Sequence, residues 1–174
     1  AIKDINLNQI SIYPEYNLLK KFVSNHYYES RKFDSEEIGL FNGADAAINA
    51  IFNSFGDRDE IFLTTNPTFG YYSPCSEIQG MRKITCAYEG ENFLFPIKRF
   101  KEKIIKHKPK LIFICNPNNP TGTVVSAQEI IKLANLNKSS LIVVDELYEK
   151  FNGDSLLPII DFKKIKNIDK IENN

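Results

Sequence analysis

The run Leu111-Ile112-Phe113-Ile114-Cys115-Asn116-Pro117-Asn118-Asn119-Pro120-Thr121-Gly122 changes character halfway along. Its first five residues are apolar and too few for a helix, so they read as a buried strand. The rest, rich in Asn, Pro, Thr and Gly, can continue neither a strand nor a helix. A strand therefore delivers a rigid polar loop to one edge of a sheet. Proline fixes φ at Pro117 and Pro120 and biases Asn116 and Asn119 away from helical backbone, which predicts two amide side chains held out on a stiff chain. A plain turn uses the same residues, so the weight of the reading rests on its neighbours.

On either side, apolar patches of strand length alternate with stretches of helical period. Residues 17–32 place Leu18, Leu19, Phe22, Val23 and Tyr27 on one helical face. Residues 38–41 are expected to form a short strand cut off by Asn42-Gly43, and 45–55 a helix with Ile48, Ile51 and Phe52 inward. A strand over 59–65 ends at Asn66-Pro67. A helix over 68–79 tolerates Pro74 only near its first turn and closes at Gly80. A strand over 82–88 and a lysine-rich helix over 96–107 follow. Beyond the loop, 126–136 reads as a helix opened by a capping box of Ser126 and Glu129, and 140–144 as a strand running into Asp145. Residues 154–174 show only a scattered apolar pattern. Crossovers between successive strands imply a mostly parallel sheet, hence a three-layer αβα fold of the α/β class. The expected organisation is an arm over 1–16, a domain over 17–160 and a tail over 161–174.

Composition narrows the function. The 174 residues carry 22 basic and 22 acidic side chains, well interspersed, which disfavours a nucleic-acid or anionic-membrane partner. The apolar runs fall far short of the roughly 20 residues that span a bilayer, and nothing resembles a signal peptide, so a soluble, cytoplasmic chain is expected. Cys75, Cys86 and Cys115 are odd in number and lack C-x-x-C spacing, against both a disulfide framework and a metal site. His26 and His107 lie on or end amphipathic helices away from the loop-bearing edge, where a structural role is expected.

In a parallel sheet, ligands sit beyond the carboxyl ends of the strands. Three such ends carry polar chemistry: Asn42-Gly43-Ala44-Asp45, the Asn116–Gly122 loop, and Asp145-Glu146-Leu147-Tyr148. Gly43 permits a tight turn, and the free N–H groups at the following helix start suit a phosphate, although an Asp-capped helix has the same look. Asp145 ends an otherwise buried strand, and an unpaired carboxylate there is costly, so a cationic partner is expected. Glu146, facing the other way, is expected in a helix-facing or exposed position.

Asn-Gly-Ala-Asp (42–45), Asn-Pro-Thr-Phe-Gly-Tyr-Tyr (66–72), Asn-Pro-Asn-Asn-Pro-Thr-Gly (116–122) and Val-Val-Asp-Glu-Leu-Tyr (143–148), in this order, resemble the large-domain motifs of fold-type I, class I/II aminotransferases dependent on pyridoxal 5′-phosphate. The branch they look most like is that of histidinol-phosphate aminotransferase, over residues 13–160. The resemblance implies that Ala44 and Asp45 bind the cofactor phosphate through backbone N–H groups, with Gly43 allowing the approach. It implies that Tyr72 stacks on the pyridine ring, that Asn119 and Tyr148 hydrogen-bond its phenolic oxygen, and that Asp145 pairs with its protonated nitrogen. Tyr13 matches a tyrosine that reaches the cofactor phosphate of a partner subunit, implying a homodimer.

The family's Schiff-base lysine, in a Ser-x-Ser-Lys or Thr-x-Ser-Lys segment after the next strand, has no counterpart here. Lys150, Lys163, Lys164, Lys166 and Lys170 lack that context, and Arg31, Arg58, Arg82 and Arg99 match no carboxylate-binding motif of the small domain. The chain is therefore expected to be part of a longer enzyme and not to complete a catalytic cycle alone. The implied reaction moves an amino group between a small amino acid, phosphorylated or not, and a 2-oxo acid. Alternatives are decarboxylation of a phosphorylated amino acid on the same fold, a remnant that binds cofactor without turnover, and, ranked last, a generic nucleotide-binding domain, which would want a G-x-G-x-x-G turn that is absent.

Overall fold

The structure, a computed structural model, describes residues 11–13, 15–27, 35–152, 155–160 and 166–171. It divides into two compact units, Ala1–Leu40 and Phe41–Asn174. The first holds helix α1 (Asn17–Tyr27) and a 3-10 turn, Ser35–Glu37. Val23 is buried, while Leu18 and Phe22 are exposed.

The second unit is built on a five-stranded sheet in the order β2-β1-β3-β4-β5, with every neighbouring pair parallel. Its elements are α2 (Ala44–Phe55), β1 (Ile61–Asn66), α3 (Tyr72–Ile78), β2 (Arg82–Ala87), α4 (Ile97–His107), β3 (Leu111–Cys115), α5 (Ala127–Ala134), β4 (Leu141–Asp145), the short α6 (Glu149–Asn152) and β5 (Ile168–Ile171). The strand alternation sets the layers. Phe62, Leu111, Phe113, Cys115 and Val143 turn to one face and join Ile48, Ile51 and Phe52 of α2 and Tyr72 and Cys75 of α3 in one cluster. Ile112, Ile114, Ile142 and Val144 turn to the other face and are as deeply buried as Phe100 and Ile104 of α4 and Ile130 and Leu133 of α5. Lys101 of α4 reaches Glu129 of α5 at 3.2 Å, so these two helices lie side by side. This is the three-layer αβα arrangement expected.

Local signals explain the element ends. Pro74 is the third residue of α3, where its missing N–H breaks no helical bond. Gly80, at φ +69°, reverses the chain after α3, and its N–H donates to the Glu77 carbonyl at 2.9 Å. Ser126 caps α5 by accepting from the Glu129 N–H at 3.3 Å.

Two expectations fail. Residues 38–41 pair with no strand among the described residues. Phe41 is exposed, and its carbonyl accepts from Gly43 N–H at 3.0 Å, so this segment turns instead of joining a ladder. Conversely, the tail supplies β5, which pairs with β4 in the register Ile142↔Ile168 to Asp145↔Ile171. Ile-Asp-Lys-Ile does not alternate: its two isoleucines fall on opposite faces, both buried, and four residues give too short a window for any period to stand out.

Candidate cofactor-binding site

The strand order reverses between β1 and β3: β2 lies on one side, and β3, β4 and β5 continue on the other. Connections leave in opposite directions at such a point, and a crevice opens beyond the strand ends. The β1–β3 register runs only through Phe62↔Leu111 and Leu63↔Ile112. Beyond it, Thr64 Oγ1 donates to the Phe113 carbonyl at 3.0 Å, a side chain taking the place of the ladder. The loops following β1, β3 and β4 meet there.

The three asparagines of the Asn116–Gly122 loop have different tasks. Asn116 is buried and turned inward: its Nδ2 donates to the Val125 carbonyl at 3.0 Å, and its Oδ1 accepts from Val125 N–H at 2.8 Å. The expectation that it is held out fails, because one amide can satisfy both polar groups of a buried peptide. Asn118 ties the loop to the end of β1, donating to the Pro67 carbonyl at 3.2 Å and accepting from Thr68 Oγ1 at 2.8 Å. Asn119 is half-buried, and its side-chain amide has no hydrogen-bond partner among the described residues. Only this third amide is left for a ligand.

Asp145, the last residue of β4, is 2 % exposed. Among the described residues it faces no cation, so the cationic partner expected for it is not one of their side chains. Its Oδ2 accepts from the Tyr72 hydroxyl at 2.6 Å, and its Oδ1 from the Leu147 N–H at 3.2 Å. Burial pushes its carboxyl up from the ordinary value, against the pull of those two hydrogen bonds, and the charges of Asp45 and Glu146 add to the rise. The start of α2 therefore lies within electrostatic reach of Asp145. Burial first, then Asp145, holds the Tyr72 phenol well above its usual range, so it remains a donor. Cys115 is pushed up to about 11, again chiefly by burial, and stays a thiol.

This geometry corrects the stacking role drawn for Tyr72. The ring has no exposed surface; Phe113 lies 4.9 Å away and Phe69 5.6 Å, centroid to centroid. No face remains for a ligand. Tyr71 and Phe69 are both half-buried, and of the two Phe69 lies nearer the end of β1. Its position directly after Asn-Pro-Thr, before the helix begins, was the available signal.

The remaining candidates fall as follows. Gly43, at φ +85°, precedes α2, so the turn into the helix needs glycine for its backbone, not for space: an added Cβ meets nothing within 4 Å. Ala44, Asp45 and Ala46 open α2 with N–H groups that have no intrahelical acceptor. Tyr148 is 37 % exposed and precedes α6. Tyr13, in the other unit, is 97 % exposed. Glu146, expected in a helix-facing or exposed position, does turn away from Asp145: it is buried on the opposite face and pairs with Lys170 of β5 at 2.6 Å. No group of metal-ligating side chains occurs among the described residues, and no helix among them is long and apolar enough to cross a membrane.

These residues fit a phosphorylated aromatic cation: a helix start for the anion, a buried carboxylate without a cation, a spare amide and an open aromatic edge. Comparisons with known proteins point the same way. The histidinol-phosphate aminotransferase of Caldanaerobacter subterraneus is 37% identical over 126 residues, covering 72% of this chain and 35% of its own. That of Clostridium novyi is 35% identical over 155 residues, covering 89% and 41%. The chain thus spans less than half the length of these relatives. Among solved structures, the histidinol-phosphate aminotransferase of Sinorhizobium meliloti, in complex with pyridoxal 5′-phosphate, superposes with a TM-score of 0.78 at 16% identity, over 95% of this chain and 44% of that one. The enzyme of Clostridium acetobutylicum gives 0.74 at 23% identity, over 95% and 48%; both likenesses concern the fold. The model of the family described as aminotransferase class I and II matches residues 3–172, and this chain belongs to that family.

Proposed function

We propose that the whole protein is a pyridoxal 5′-phosphate-dependent aminotransferase resembling histidinol-phosphate aminotransferase, and that this chain builds the floor of its cofactor site. The observation that carries the reading is Asp145, a buried carboxylate with no cation beside it among the described residues, at the end of β4, one strand along from the β1–β3 point where the strand order reverses. When bound, the cofactor supplies an electron-accepting ring that takes up the electron pair left as a substrate amino acid loses its α-proton. The chain's contribution is to hold that ring in its protonated form. Asp145 keeps the proton on the ring nitrogen, and Tyr72 behind it fixes the carboxylate. Asn119 and Tyr148 donate to the phenolic oxygen. The backbone N–H groups of Ala44, Asp45 and Ala46, approached over Gly43, take the phosphate. Phe69, in place of Tyr72, covers the ring face. Tyr13, fully open to solvent, reaches the phosphate of the second subunit in a homodimer.

Titration with pyridoxamine 5′-phosphate tests this, because its amine cannot react with surface lysines. Saturable fluorescence change is expected, weakened about tenfold or more in Asp145→Asn, the loss of one charge-assisted bond. Absence of binding, or equal binding by the variant, overturns the reading. For the whole protein, amino transfer to a 2-oxo acid without release of carbon dioxide is the expected product pattern, and a dimeric mass is expected in solution.

A further inference from the structure

Glu146 and Lys170 form an ion pair whose side chains are 1% and 5% exposed, on the face of the sheet opposite Asp145. Both oxygens of the Glu146 carboxylate are engaged. Its Oε2 meets Lys170 Nζ at 2.6 Å and accepts from Ser155 Oγ at 2.9 Å, while Oε1 accepts from the Leu156 N–H at 2.8 Å. Ser155 in turn accepts from Lys170 Nζ at 2.8 Å and from the Leu157 N–H at 3.2 Å. The main chain of Glu146 is held as well: its N–H donates to the Ile171 carbonyl, and its carbonyl accepts from Glu149 N–H, both at 2.9 Å. One residue thus joins the end of β4, the start of α6, the turn at 155–157 and β5.

A buried ion pair adds little net stability, because two apolar side chains of the same size often do as well or better; the best-attested use of such a pair is to fix register. Here the fixed position is the residue next to Asp145. The Asp145 carbonyl accepts from Asn116 N–H at 2.8 Å, so the strand end is gripped by the loop after β3 on one side and by β5 on the other. We propose that Glu146 and Lys170 are positioning residues for Asp145 and Tyr148: the pair behind the sheet sets the attitude of the carboxylate and phenol presented in front. The inference rests on the cofactor reading above. A carboxylate displaced by more than about 0.5 Å leaves the geometry in which it pairs well with a ring N–H.

The test uses the whole protein, freed of bound cofactor, with pyridoxamine 5′-phosphate as probe, in four forms: unaltered, Glu146→Gln, Lys170→Met and the double variant. Two quantities are read beside the melting temperature: the dissociation constant, and the pH at which the bound ring's spectrum reports loss of its nitrogen proton. All three variants are expected to bind about tenfold more weakly, the lower end of what partners behind a bound group contribute. Their spectral transition is expected to move down in pH toward that of the free compound. The double variant is expected to recover the melting temperature, because neither charge is left unpaired, but not the spectral transition. If melting falls in the single variants while affinity and spectral transition stay at the unaltered values, the pair is only structural and the inference is overturned. If the double variant recovers both, it is overturned also. Absence of binding by the unaltered whole protein overturns the cofactor reading and this inference together, a result distinct from the other two.

Discussion

Asp145 is an aspartate whose environment opposes its charge. Its folded-state carboxyl lies above the ordinary 3.8, raised first by burial, so the folded chain holds a proton that the unfolded chain has released. Stability from this group is therefore fully present below 3.8 and lost as pH rises through the raised value, the reverse of a salt-bridged aspartate. Asp145→Asn should be neutral in acid and increasingly stabilising as pH rises. Denaturant midpoints of the two proteins across pH, without cofactor, measure this; a difference that does not change with pH would count against it. Tyr72→Phe acts on the same carboxylate from the other side. It keeps the ring packed on Phe113 but removes the 2.6 Å bond, and the expected cost is about 1.5–3 kcal/mol in urea unfolding at neutral pH. Asp145 was legible in the sequence because a carboxylate ending a wholly apolar strand breaks the local pattern. The donor behind it was not: the place of Phe69 ahead of the helix sets that aromatic apart, but nothing in residues 66–72 says that Tyr72 and not Tyr71 turns its hydroxyl to Asp145.

At the scale of the element, the loop after β3 divides its labour among similar side chains. Asn116→Ala strips Val125 of a donor and an acceptor, both buried, and should cost about 2–4 kcal/mol. Asn119→Ala touches no bond within the described residues and should change stability by less than about 0.5 kcal/mol while weakening binding of pyridoxamine 5′-phosphate. Equal stability losses in the two variants would refute this division. The loop itself was legible, because prolines and asparagines after five apolar residues allow little else. Its internal roles were not: proline restricts the backbone of Asn116 and Asn119 alike, and only tertiary partners distinguish them. The same limit explains residues 38–41 and β5. Four-residue segments hold too little period to separate strand from turn, and the partner strand decides. The turn into α2 is a simpler case: at φ 85° and ψ 166°, a backbone region almost reserved to glycine, Gly43→Ala should cost about 1–3 kcal/mol through backbone strain alone, read by urea unfolding.

Over the whole molecule, the two faces of the sheet carry separate cores, and only one of them reaches the site. Phe113 is the joint. Its ring stacks on Phe52 at 4.9 Å, meets Phe62 edge-on at 5.7 Å and supports Tyr72 at 4.9 Å, which holds Asp145. Phe100, equally buried, belongs to α4 and packs with Phe95 at 5.0 Å, away from that chain of contacts. Truncating either ring leaves a void of similar size, so Phe113→Leu and Phe100→Leu should lose comparable stability, on the order of 1–2 kcal/mol, in urea unfolding. Their effect on the site should differ. A leucine at 113 removes the surface against which Tyr72 is seated, and the phenol is free to tilt from the carboxylate. Affinity for pyridoxamine 5′-phosphate should then fall several-fold in Phe113→Leu and stay unchanged in Phe100→Leu, at matched fractions of folded protein. Equal affinities in the two variants would mean that Tyr72 keeps its seat without Phe113, and that Asp145 is positioned by the strand ends alone.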